Sequence, residues 1–214
     1  MIKSLIEWAK GRPKVLPATE PVSHLVSCDL ARGSCYLVKE PKAEFSFEIF
    51  SSLIKGRCAN CSYHEAFPCE SIGCESCTVL CNCKACKSVR AQGLCFTMHS
   101  PMDLRLRYTL QITPIFWISN HGHESISPTS LEIMADMINR FLKQSKSPII
   151  LLDGIEYLIF ANGSAPVIRF LRDIEEWLIL QNSILILPVN PTAINERDMA
   201  LIERDMKEIT SKKR

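Results

Sequence analysis

Between residues 58 and 86 the chain reads CANCSYHEAFPCESIGCESCTVLCNCKAC, eight cysteines in a stretch with few large apolar side chains. Across residues 58–89 the main ones are Tyr63, Phe67, Ile72, Val79 and Leu80. Burying so little cannot offset the ordering of that segment, at about 1–2 kcal/mol per residue for the backbone alone. Something other than a hydrophobic core has to hold these residues together.

Structural zinc answers that need, because apparent binding free energies of about 10–16 kcal/mol become folding free energy when the unfolded chain has no site. Two-residue separations let both sulfurs of a knuckle turn toward one ion. Cys58 with Cys61 and Cys74 with Cys77 form such knuckles, which leaves Cys69, Cys81, Cys83 and Cys86 as a second set. A sequential division, with Cys58, Cys61, Cys69 and Cys74 on one ion and the rest on another, is equally permitted. His64 could replace a cysteine. Eight thiolates fit about two tetrahedral ions, each all-thiolate site carrying a formal charge of about −2. Arg57, Lys84, Lys87 and Arg90 are placed along the chain to temper that charge and to meet a partner.

Two other chemistries use the same thiols. Iron–sulfur clusters take four, but the compact C-x2-C-x2-C-x3-C-P run is absent. Disulfides are rare in cytosol except in hyperthermophiles. Of the remaining cysteines, Cys28, Cys35 and Cys95, the last two fall in predicted strands, where a thiol simply packs.

A length of 214 residues suits one domain with an appendage, and a net charge of +2 argues against binding nucleic acid by phosphate neutralisation alone. Glu7 and Lys10 interrupt the apolar stretch a secretory signal would need, and no apolar run reaches the roughly 18–20 residues that cross a bilayer. A soluble, cytoplasmic protein is expected. Ile2, Leu5, Ile6 and Ala9 could line a short helix, and Pro13, Pro17 and Pro21 mark a linker. The C-terminal TSKKR reads as a solubilising end.

From Ser34 onward, strand and helix signals alternate, the signature of a mostly parallel α/β sheet. Strands are expected at 35–38, 93–98, 114–119, 149–152 and 184–189. Helices are expected at 43–55, 101–108, 128–145, 165–181 and 194–210. Phe47, Phe50 and Ile54 would share one face of the first helix. Ser127 would cap the third, with Pro128 in its first turn and Leu131, Met134, Ile138 and Leu142 facing inward. IILL would be a central strand, since a continuous apolar run suits burial on both faces, ended by Asp153 and Gly154. The division is therefore residues 1–33 as helix and linker, 34–57 with 90–210 as a five-stranded core, and 58–89 as a cysteine-rich insertion.

The segments CYLVKEPKAEFSFEIFSSLIKG, GLCFTMHSP, TPIFWISN, ILLDGIEYLIFANG and VIRFLRDIEEWLILQNSILILPVNP resemble the archaeal family catalogued as domain of unknown function 835. LLDGIEYLI is the most specific of them. The resemblance covers most of residues 34–206 apart from the cysteine segment. It implies an α/β fold, an archaeal source, and a regulatory or scaffolding role beside signalling modules.

A hydrophobic strand ending in aspartate, as in IILLD, is also found in P-loop ATPases, where the carboxylate helps hold magnesium. Neither G-x-x-x-x-G-K-[ST] nor G-x-G-x-x-G occurs, so a nucleoside triphosphate would lack its phosphate cradle. Asp153 is expected to cap the following turn or helix. His121, His123 and Glu124 follow a strand where α/β sheets bind ligands, but the glycine between the histidines favours a solvated loop. The reading that emerges is a non-catalytic regulatory or scaffolding protein, homodimeric, whose zinc-held insertion contacts a protein, RNA or the ribosome. An iron–sulfur or thiol redox protein is the alternative, and a nucleotide-dependent switch using Asp153 and Glu156 a third.

Overall fold

The structure, a computed structural model, describes residues 30–55, 91–122 and 125–209. Its elements run β1 (Ser34–Lys39), α1 (Glu44–Lys55), β2 (Gln92–Thr97), α2 (Pro101–Tyr108), β3 (Ile115–Ile118), β4 (Ser125–Ile126) and α3 (Leu131–Gln144). They continue with β5 (Pro148–Leu152), α4 (Ile155–Asn162), α5 (Ser164–Leu180), β6 (Ile184–Val189), α6 (Glu196–Glu203) and β7 (Lys207–Ile209). The seven strands form one sheet in the order β4-β3-β2-β5-β6-β1-β7, and every pairing is parallel.

Parallel neighbours need crossover connections, so helices cover both faces and the central strands lose their polar side. β5 and β6 are buried along their whole length. Alternate residues divide between two cores. Tyr36, Val38, Cys95, Ile149, Leu151 and Ile186 meet Phe47 and Phe50 of α1 and Leu104 and Tyr108 of α2. Leu37, Phe96, Ile150, Leu152, Leu185 and Leu187 face the other way, onto α3, α4, α5 and α6.

The approach of α1 to the sheet depends on Gly93. A Cβ there would fall 2.4 Å from Ile54 Cδ1 and 2.7 Å from Phe50 Cζ. Close by, the Ala91 N–H donates to the Leu53 carbonyl at 3.4 Å, so the chain leaves α1 and rejoins β2 at adjacent points.

All five expected strands are present, and α2 has the expected bounds. The sheet is larger than expected. β4 is only two residues long, and β7 falls where the last helix was expected to continue. That helix stops at Glu203, and Lys207–Ile209 adds an edge strand beside β1. α4, unexpected from the sequence, starts directly after Gly154. α3 begins at Leu131 rather than at Pro128, because Ser127 belongs to a turn: its hydroxyl meets Asn120 Oδ1 at 3.0 Å and Thr129 Oγ1 at 2.9 Å.

Candidate functional site

The sheet reverses direction between β2 and β5. From β2 the chain moves outward through β3 and β4; from β5 it moves the other way, to β6 and later β7. The connection after β2 enters α2 on one face, and that after β5 enters α4 on the other. Open α/β sheets bind ligands at such a switch point, outside the carboxyl ends of the strands. Here that point lies between Thr97, which ends β2, and Asp153, which follows β5.

The two residues are joined. Thr97 Oγ1 donates to Asp153 Oδ2 at 2.6 Å, and both are buried. Asp153 N–H donates to the Phe96 carbonyl at 2.8 Å, while Thr97 Oγ1 accepts from the His99 N–H at 3.0 Å. His99 Nε2 lies 3.7 Å from Asp153 Oδ2, with about half of its side chain exposed. Burial pushes the Asp153 carboxyl above its ordinary range, against the Thr97 hydroxyl, His99 and a backbone hydrogen bond from Met98, which favour the carboxylate. Asp153 therefore does not cap the next helix as expected. Gly154 takes the N-cap position of α4 and offers no side chain.

Met98 packs against Gly154. Gly154 has φ +108°, and a Cβ on it would sit 2.6 Å from Met98 Cγ. The Met98 carbonyl accepts from the Trp117 indole N–H at 3.0 Å, which ties β3 to the same corner.

Two further carboxylates flank this centre. Glu156, in the first turn of α4, accepts the Asn190 N–H at 2.5 Å from the end of β6. Glu40, just past β1, accepts the Phe45 N–H at 2.9 Å and the Ser46 N–H at 3.0 Å, together with the Ser46 hydroxyl. Burial raises both carboxyls above their ordinary range, and the charge of Asp153 raises them further. Each of the three carboxylates thus ties one strand end to a neighbouring element. Among the described residues no three His, Cys, Asp or Glu side chains gather in a way that would hold a metal ion.

The zinc set, Cys58, Cys61, Cys69, Cys74, Cys77, Cys81, Cys83 and Cys86, lies outside the described residues, as do Arg57, Lys84, Lys87, Arg90, His64 and Cys28. So do the N-terminal helix and linker, His123, Glu124 and the TSKKR end. His121 is exposed on the loop after β3. Cys35 and Cys95 are free and buried, as expected. Burial, reinforced by Glu175, pushes the Cys35 thiol up to about 12, and burial with Asp153 raises that of Cys95. Asp153 was legible as a strand-ending carboxylate. Thr97 and Glu40 were not singled out, although a glutamate between a strand and a helix start is a visible capping signal.

The model of the family described as Protein of unknown function (DUF835) matches residues 80–206, more than half of the chain. The chain belongs to this family. Thr97, Asp153, Glu156 and Asn190 lie inside the DUF835 match, which runs through β2 to α6, while β1, Glu40 and α1 precede it. No curated protein matches the chain. A solved structure from Pyrococcus horikoshii OT3 aligns with 85% of this chain and 83% of that one, at 9% identity and a TM-score of 0.48. Among the described residues no helix is long and apolar enough to cross a membrane.

Proposed function

We propose that the protein is a non-catalytic regulatory or scaffolding module, homodimeric, whose α/β core presents a zinc-held insertion to a macromolecular partner. The Thr97–Asp153 hydrogen bond carries this reading. A carboxylate at the switch point of an open sheet is well placed to hold a metal–nucleotide. This one is buried and bonded to the neighbouring strand. A group used in this way serves the cohesion of the core. The Ala91–Leu53 hydrogen bond adds support, since an insertion that leaves and returns at one point can carry a separate contact surface without disturbing the sheet.

Elemental analysis of anaerobically purified full chain, with its ultraviolet–visible spectrum, tests the insertion. About two zinc ions per chain and no colour are expected. Iron with acid-labile sulfide would replace this reading with an electron-transfer or redox-sensing one, and few free thiols without metal would indicate disulfides. If the partner is RNA, charge reversal at Lys84, Lys87 and Arg90 weakens binding and flattens its dependence on salt. Unchanged RNA affinity in that variant would remove RNA as the partner.

A further inference from the structure

α3 is the outermost helix on its face of the sheet. It packs against α5 on one side, and on the other lies only the sheet edge, where β3 is followed by the two-residue strand β4. Met134, Ile138 and Leu142 point down onto the core. The right-handed turn of the helix then puts Ala135 and Asn139 on the side of α5, and Ile133, Met137 and Phe141 in a stripe along the open side. Met137 and Phe141 rest half-buried on the core, whereas Ile133 is 57% exposed. On the opposite face of the same edge, α2 packs on β3 and leaves Met102 and Leu106, one turn apart, exposed. No described element covers this edge.

The charges of α3 indicate what would. Glu132 and Asp136 stand in its first half, Arg140 and Lys143 in its second, and Asp136 meets Arg140 at 2.7 Å within the helix. A helix charged in this order attracts a copy of itself that runs antiparallel and repels one that runs parallel. A two-fold axis beside Met137, normal to the sheet, sets Ile133 against the partner's Phe141 and brings Arg140 within reach of the partner's Asp136. The same axis carries α2 to its own copy across the other face.

We propose that the flank of α3 formed by Ile133, Met137 and Phe141 is the contact between two antiparallel copies of this chain. The proposal rests on the homodimeric part of the reading above and gives it a surface.

The test is sedimentation equilibrium of the full-length protein up to about 100 µM, for wild type, Ile133→Glu, Asp136→Arg and Arg140→Asp. Wild type should be a dimer, and Ile133→Glu should raise its dissociation constant about tenfold or more. Asp136→Arg and Arg140→Asp each set like charges across the axis and should weaken their own dimers about tenfold. An equimolar mixture of these two variants sets unlike charges there and should dimerise as well as wild type. All three positions are exposed, so the fold survives each change, as unaltered circular dichroism would confirm. A monomeric wild type overturns the proposal and removes the homodimer from the reading above, whose zinc is measured separately; if Ile133→Glu also lowers its melting temperature, another part of the same chain covers the flank. A wild-type dimer that all three substitutions leave unchanged, or a mixture that fails to recover, overturns this interface and leaves the homodimer standing.

Discussion

Thr97 and Asp153, 56 positions apart, meet through a 2.6 Å hydrogen bond between the ends of two adjacent parallel strands. The bond lies where the sheet reverses its direction of growth, the place where such folds are otherwise open. The buried carboxyl has its hydroxyl donor, and the hydroxyl in turn accepts from the His99 backbone.

Removing the donor should cost stability, and removing the charge should not. Thr97→Val leaves a buried carboxyl short of a partner, for a loss of about 1–3 kcal/mol in urea unfolding. Asp153→Asn keeps an oxygen to accept the Thr97 proton and removes the buried charge, so it should be neutral or stabilising near pH 7. A large loss in Asp153→Asn with none in Thr97→Val would contradict this assignment.

Gly154 is set by backbone geometry and by Met98 together. Gly154→Ala places a Cβ at φ +108° and 2.6 Å from Met98 Cγ, and should destabilise by about 1–3 kcal/mol. Adding Met98→Ala should return the steric part and leave the conformational part. Simple additivity of the two substitutions would show that they do not meet.

Glu175 supplies a pH signature. Burial first, then Asp205, raises its carboxyl to about 7, against Arg172 and Arg204, which lower it. A folded value above the unfolded one means that the native state holds the proton more tightly. The resulting stability is fully present below the unfolded value and is lost as the pH rises through about 7. Glu175→Gln mimics the protonated form. Wild type should therefore fall progressively below Glu175→Gln in urea midpoint between about pH 5 and 8. A gap that stays constant or closes would contradict the assignment.

The strands were the most legible part of the sequence, because Ile149–Leu152 and Ile184–Val189 are continuous apolar runs that only a doubly covered sheet requires. α4 escaped notice because Ile155–Asn162 is short and apolar nearly all round, so it has no marked helical period. β7 is a three-residue edge strand with two exposed residues, and its charges read as helix continuation. Asp153 stood out by position, whereas its partner became apparent only when β2 and β5 were seen to be neighbours. Glu40 differs, since the N–H groups that donate to its carboxylate lie five and six residues on, within reach of a local reading.

Whether the core is closed to nucleotide at its switch point can be measured directly. The most direct measurement is the thermal midpoint of the full-length protein titrated with magnesium–ATP to millimolar concentration. A ligand that binds only the native state at about 100 times its dissociation constant would add about 2.7 kcal/mol. With a closed core, magnesium–ATP leaves the midpoint where magnesium chloride alone puts it. A saturable rise that Asp153→Asn abolishes would contradict it and make Asp153 a nucleotide–metal ligand.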